Sequence, residues 1–416
     1  MNKFLINGGK KITGEVRIAG SKNAALPLIA ATLLTEQKCR LENVPDILDV
    51  HSLASIIEDL GGKVSYESRG LTIHNRKLSK SAPSPKKVGA SRASVLLMGA
   101  LLARNGRAEI AYPGGDKIGA RPIDIHLRVM KKLGASVNEG KRILLKVKKL
   151  KGARVFTESS VLATENALLA ASLASGTTVI KGAAMEPHVV QLQKYLQKMG
   201  AHIRGVGTSE VTVKGVLKLR GAKIRVIPDM IETGSFAILA AMTRGELILK
   251  GVDHTHMDAF YQKLDEIGVS FDKNPHELII KDPQPRLRSV AIRTGIYPNL
   301  ATDLQPPFGV LATKAVGNTT IHDWIFEGRL GYLAELKKMG ARYKKIDNHA
   351  AEIYGPVSLK GANISCADIR SGITLLIAAL SAKGTSVLSE IRHLDRGYEH
   401  LETRLQNIGA DIVRIE

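Results

Sequence analysis

Six stretches of the chain are apolar almost all the way round a helical period: ALPLIAATLL (25–34), SVLLMGALLA (94–103), NALLAASLA (166–174), SFAILAAM (235–242), PPFGVLAT (306–313) and GITLLIAALSA (372–382). A helix with no polar face has to be buried. Most of these stretches run into a short β-like segment, such as GRAEIAY, GTTVIKG, GELILKG, GNTTIHD or GTSVLSE. A one-sided pattern follows, as in Leu53, Ile56, Ile57 and Leu60 or in Leu401, Leu405 and Ile408, and predicts an outer helix with a wet face. Each outer helix closes on the same signature, LGGKV, LGASV, MGAHI, IGVSF, MGARY or IGADI, and glycine after the last periodic residue is a helix stop. The signature glycines are Gly61, Gly134, Gly200, Gly268, Gly340 and Gly409, so the repeat is about seventy residues long.

One repeat is a buried helix, a strand, an outer helix and a further strand or hairpin. Six such units predict an α/β protein of two pseudo-equivalent domains, each with three units around buried helices. The first domain is expected to span 21–228 and the second 229–416. The sixth unit stops one strand short at Ile415, while FLINGGKKITGEVRI (4–18) is left over in front of the first. Residues 1–20 are therefore expected to complete the second domain.

Composition narrows the function. The chain has 416 residues, with 60 Lys and Arg against 39 Asp and Glu, a formal balance of +21. Such an excess suits nucleic acid, but 7 Phe, 9 Tyr and 1 Trp leave few stacking platforms, and no nucleic-acid-binding motif occurs. The densest basic stretch, KRILLKVKKLKGARV (141–155), alternates basic and apolar residues as a solvated strand face does. What remains is a positive field suited to small anions, with no nucleic-acid or membrane partner expected. Two distant cysteines, Cys39 and Cys366, exclude a metal knuckle and fit a reducing compartment. With no apolar run of signal or membrane-spanning length, a cytoplasmic protein is expected; the sequence leaves its oligomeric state open, with a monomer as the default expectation.

Counting back fourteen residues from the end of each buried helix lands on Lys22, Arg92, Asp303 and Arg370 in four units, and on Leu162 and Ile231 in the other two. Helix N-termini attract anions, and an added cation there opposes the dipole, so it serves a ligand rather than the helix. Two facing domains would thus form an inter-domain cleft lined by Lys22, Arg92, Asp303 and Arg370, the default ligand site. A second set, Arg121, Arg329 and Arg396, falls where strands turn into outer helices, Arg121 following the glycine-rich loop YPGGDKIGA at 112–120. Such arginines would grip a phosphate and a carboxylate through paired hydrogen bonds. His51, His126, His188, His254, His256 and His393 also lie near helix starts, without ligand spacing, and are read as supporting or solvent-facing groups. No dinucleotide fingerprint, P-loop or nucleophile elbow is present, and neither a metal nor a cofactor is expected.

The segments GSKNAALP (20–27), RAS (92–94), PGGDKIGARPIDIH (113–126), PDMIETG (228–234), TDLQPPF (302–308), ADIRSG (367–372) and HLDRGYE (393–399) follow one another along the whole chain. Together they resemble the UDP-N-acetylglucosamine 1-carboxyvinyltransferase family of enolpyruvyl transferases. The resemblance implies two inside-out α/β domains, an alpha-beta prism with three βαβαββ units each, and transfer of the enolpyruvyl group of phosphoenolpyruvate to the 3-hydroxyl of UDP-N-acetylglucosamine at the start of peptidoglycan synthesis. It implies that Lys22, Arg121 and Arg396 hold phosphoenolpyruvate and that Asn23 and Arg92 contact the sugar nucleotide. Arg121, Pro122, Ile123, Asp124, Ile125, Ser160, Val161 and Ile325 would line the nucleotide site. Asp303 would accept the proton of the attacking hydroxyl, with Arg370 supporting the charge network.

Three positions depart from the family pattern. Asp116 stands where the loop usually carries cysteine; a carboxyl group can still deliver a proton to the methylene carbon, but it cannot form the thioether made by the epoxide fosfomycin, so insensitivity is expected. Leu48 stands where many relatives have lysine, and Met230 where they have arginine. The alternatives are the sister activity on shikimate 3-phosphate and a non-catalytic nucleic-acid-binding relative. Against the first, Lys22 is followed by Asn23, Ala24 and Ala25 rather than by the sister enzyme's serine- and histidine-bearing pattern.

Overall fold

The computed structural model describes residues 3–116, 118–282 and 286–416. The chain folds as two compact units, one built from 20–115 and 121–227, the other from 1–19, 116–120 and 228–416.

The repeat is seen whole in the third unit. Strand Arg154–Phe156 leads through the buried helix Val161–Ala171 to the parallel strand Thr177–Lys181. The outer helix Pro187–Met199 then returns the chain to the hairpin His202–Arg204 and Glu210–Lys214, whose second strand pairs antiparallel with Thr177–Lys181. This is the βαβαββ order. In the first repeat the leading strand comes from the far end of the same unit, because Lys223–Arg225 pairs parallel with Lys38–Glu42. The second repeat forms a sheet of three strands, Arg107–Ile110, Ile143–Lys146 and Ser136–Glu139. In its basic stretch Ile143, Leu145, Leu150 and Val155 are buried while Lys141, Arg142, Lys146, Lys148 and Arg154 are exposed, the alternation expected of a wet strand face.

The unit containing 228–416 draws on the N-terminal residues twice. Gly14–Arg17 runs parallel to Leu247–Lys250, supplying a leading strand, and Lys3–Gly8 lies between Gly384–Ser389 and Asp411–Ile415, antiparallel to both. Phe4 and Ile6, fully buried, fix that register, since a slip of one residue would turn both outward.

The two cores are centred on the apolar helices. Every residue from Ile231 to Thr243 of helix Met230–Thr243 is buried, helix Gln305–Ala312 is buried throughout, and helix Ile369–Ser381 is buried from Ile369 to Leu380. Close approach between such helices needs small residues: a Cβ on Gly99 would lie 2.6 Å from the carbonyl oxygen of Asn166. The six signature glycines all adopt φ between +90° and +108°, the left-handed conformation in which glycine ends a helix without steric cost.

Candidate active site

All six positions found by counting back lie in the first turn of a buried helix or of the 3₁₀ turn that leads into it. Lys22 opens Lys22–Ala31, Arg92 opens the turn Arg92–Leu96, and Asp303 is central in Thr302–Leu304. Arg370, Leu162 and Ile231 are each the second residue of their helix.

In the unit containing 20–115, Lys22 Nζ lies 3.5 Å from Oδ2 of Asp49, which is in the first turn of helix Leu48–Asp59. The side chains of both are largely buried, and Asn23 is half-buried beside them in sequence. Arg92 donates through Nη2 to the carbonyl oxygens of Arg121 and, at 3.2 Å, Pro122. Burial, with Arg121 nearby, pushes its pKa down to about 10. Its Nε is buried without a hydrogen-bond partner among the described residues.

Asp124 opens helix Asp124–Lys132 directly after Ile123, with Ile125 half-buried behind it. Arg128 bonds Glu158, and Ser160 caps helix Val161–Ala171 by accepting from Ala163 N at 3.4 Å. That exposed ion pair runs from helix Asp124–Lys132 to the segment just before Ser160 and Val161. Beneath it, His126 is buried and shares a 2.9 Å hydrogen bond through Nδ1 with Asn166 Nδ2. Burial, then the Arg92 charge, lowers the His126 pKa to about 4, so the ring is neutral.

In the unit containing 228–416 the centre is Asp303. Its Oδ2 accepts from Nε of Arg370 at 2.9 Å, with Nη2 of the same guanidinium also 2.9 Å away, and its Oδ1 accepts from Nη2 of Arg329 at 3.0 Å. The arginine side chains are 6% and 3% exposed, whereas that of Asp303 keeps 23% of its surface open, so the carboxylate is the accessible edge of the cluster. Burial alone would lower the pKa of Arg370, but Asp303, with Tyr398 and Asp229, more than offsets it and holds the guanidinium charged. Arg370 Nη1 also donates to Tyr398 Oη at 3.3 Å, and burial raises that phenol to about 12.

Arg329 corrects the sequence expectation. Its place in the sequence groups it with Arg121 and Arg396 as an anion-gripping residue, but its side chain is buried and reaches Thr302 Oγ1 at 3.2 Å as well as Asp303. It orients the carboxylate instead. Thr302 in turn donates at 2.6 Å to the buried Asp323, whose other oxygen accepts from the backbone of Ile325 and Phe326, which fixes the turn bearing Ile325. Arg396, at the end of the short helix Arg392–Asp395, bonds Asp116 through Nη1, and His393 Nδ1 lies 3.9 Å from the same carboxylate oxygen.

Asp49, Tyr398 and the inward turn of Arg329 were not found from sequence. Each partners a group far away in the chain, and the only local signal was an acidic residue in the first turn of an outer helix. Leu48 and Met230, two of the three departures, each begin a helix, Leu48 partly exposed and Met230 packed against the core. Among the described residues no His, Cys, Asp and Glu side chains group as metal ligands, and no helix is long and apolar enough to cross a membrane.

Comparison with known proteins gives the family. A family model described as EPSP synthase (3-phosphoshikimate 1-carboxyvinyltransferase) matches residues 6–405. The UDP-N-acetylglucosamine 1-carboxyvinyltransferase of Halothermothrix orenii is 40% identical over the full length of both chains. An enzyme named UDP-N-acetylglucosamine 1-carboxyvinyltransferase 3 from Caldanaerobacter subterraneus is 41% identical with the same coverage. Among solved structures, the enolpyruvyl transferase NikO of Streptomyces tendae superposes with a TM-score of 0.91 at 25% identity, covering 99% of this chain and 98% of its own. EPSP synthase of Acinetobacter baumannii shares the fold, with a TM-score of 0.77 at 18% identity over all of both chains. The chain belongs to the enolpyruvyl transferases and, within them, to the UDP-N-acetylglucosamine 1-carboxyvinyltransferase family.

Proposed function

We propose that this protein transfers the enolpyruvyl group of phosphoenolpyruvate to the 3-hydroxyl of UDP-N-acetylglucosamine, releasing inorganic phosphate, as a cytoplasmic monomer that feeds peptidoglycan synthesis. The observation that carries the reading is Asp303, an accessible carboxylate held by Arg329 and Arg370 in the position where the family pattern needs a base.

In this reading Lys22, Arg121 and Arg396 hold the carboxylate and phosphate of the donor, matching its negative charges with cations that can also donate hydrogen bonds. Asn23 and Arg92 contact the sugar nucleotide. The nucleotide end lies along Arg121, Pro122, Ile123, Asp124 and Ile125, with Ser160, Val161 and Ile325. Asp303 removes the proton of the 3-hydroxyl as its oxygen bonds to C2 of the donor, and Asp116 delivers a proton to C3, turning the methylene into a methyl group. The resulting tetrahedral intermediate still carries phosphate, which the cationic groups stabilise. Loss of a proton from the methyl group and of inorganic phosphate restores the double bond in the product. Arg370 keeps Asp303 oriented throughout.

Turnover in deuterated water tests this path. The methyl group of the intermediate can lose any of its three hydrogens, so deuterium is expected at the vinyl carbon of the product. Product without deuterium would exclude addition followed by elimination.

The family model's name gives weight to one rival, transfer to shikimate 3-phosphate. The full-length relatives at 40% and 41% identity carry the other acceptor in their names, and that acceptor is preferred.

A further inference from the structure

The segment after the glycine-rich turn is seated on its own unit by close backbone contacts. Gly328 N donates to the carbonyl oxygen of Ile118 at 3.1 Å, and Ala120 N donates to Oε1 of Glu327 at 2.6 Å. That amide bond holds the Glu327 carboxyl below its usual pKa range. The fit leaves no room for side chains. A Cβ on Gly328 would lie 2.7 Å from the carbonyl carbon of Ile118, and one on Gly119 would lie 2.4 Å from a Glu327 oxygen. Ile118 is itself buried. With 118–120 so fixed, the Asp116 carboxylate rests on Nη1 of Arg396, with 15% and 13% of the two side chains exposed.

A guanidinium recognises a carboxylate and a phosphate with the same N–H groups. An N–H that already donates to Asp116 is not available to a second anion. We infer that Asp116 is a built-in competitor for the anionic donor at Arg396, held in place by the seat at Glu327 and Gly328, and so sets the affinity of this chain for its donor. The inference rests on the proposed role of Arg396 in donor binding. The donor's carboxylate or phosphate displaces the Asp116 carboxylate from Arg396. Freed from the cation, that carboxylate takes up a proton from solvent, and the resulting carboxylic acid is the group proposed to protonate C3. A cysteine in the same position would carry no such competing charge at neutral pH.

The test is calorimetric titration with inorganic phosphate, without acceptor, on the full chain. Asp116→Asn is expected to bind phosphate about tenfold more tightly than the unaltered protein, since the charge on the competitor is gone while the seat remains. Gly328→Ala, which lifts the segment without changing a charge, is expected to tighten binding several-fold. In an Arg396→Ala background both effects should vanish. Unchanged or weaker phosphate binding in Asp116→Asn, the same tightening without Arg396, or no phosphate binding by either protein would overturn the proposal. Because this readout needs no turnover, failure of the transfer reaction and failure of the competition are separate results.

Discussion

Asp303 meets Arg370 through a fork, Oδ2 lying 2.9 Å from both Nε and Nη2, while Arg329 holds the other carboxylate oxygen at 3.0 Å. The two arginine side chains are buried, while that of Asp303 keeps 23% of its surface open. Asp303→Asn presents an NH₂ group to one of them and removes the carboxylate that both buried guanidiniums share. It is expected to cost about 3 kcal/mol in stability and about 10²–10³-fold in kcat, with a much smaller change in KM. Thermal melting and steady-state kinetics read the two effects, and an unchanged kcat would remove Asp303 from the role of base. Arg370→Lys keeps the charge but not the fork, so it should lower kcat roughly 10–100-fold while the fold survives.

Asp49 positions Lys22 from the neighbouring helix, 3.5 Å from Nζ and almost wholly buried. Asp49→Asn removes the charge that orients the ammonium. The KM for phosphoenolpyruvate is expected to rise about tenfold, with a smaller change in kcat, because the loss falls on donor binding. Equal KM values in the two proteins would show that Asp49 serves the fold alone.

His126 and Glu165 give the stability curve two opposed contributions. Burial pushes His126 down to about 4 in the folded state, so between about pH 6.5 and 4 the unfolded chain binds the extra proton, and stability falls on acidification by up to roughly 3 kcal/mol. Glu165 is fully buried, and burial, with Glu186 nearby, raises its carboxyl well above 4.5. There the folded state holds the extra proton, and stability falls as pH rises from about 4.5. Urea denaturation across this range should give a flatter acid limb for His126→Gln than for the unaltered protein. Glu165→Gln should gain stability relative to the unaltered protein as pH rises. Parallel curves for His126→Gln and the unaltered protein would contradict a neutral, buried His126.

Asp116 has no thiolate with which to open an epoxide. Fosfomycin is expected to cause no time-dependent loss of activity, and Asp116→Cys should restore rapid inactivation with a stable mass adduct. Progressive inactivation of the unaltered protein would contradict this.

The repeat was legible in the sequence because it rests on local rules. Gly61, Gly134, Gly200, Gly268, Gly340 and Gly409 had to follow helices, and all six take positive φ. The stretch at 235–242 had no polar face and is buried throughout. The helix-mouth positions of Lys22, Arg92, Asp303 and Arg370 came from the same periodicity. Arg329 shows where that reasoning stops. Nothing in FEGRLGYL says whether its guanidinium faces solvent or Asp303, because the answer lies 26 residues earlier in the chain. The bond from Asp116 to Arg396 spans 280 residues, and Tyr398 reaches Arg370 over 28. Such pairings depend on how the repeats stack, which periodicity does not encode.

Phosphate release by the purified protein, measured with phosphoenolpyruvate and either UDP-N-acetylglucosamine or shikimate 3-phosphate, tests the central claim most directly. Multiple turnover with the sugar nucleotide and none with shikimate 3-phosphate is expected. Turnover with shikimate 3-phosphate alone, or with neither acceptor, would contradict it.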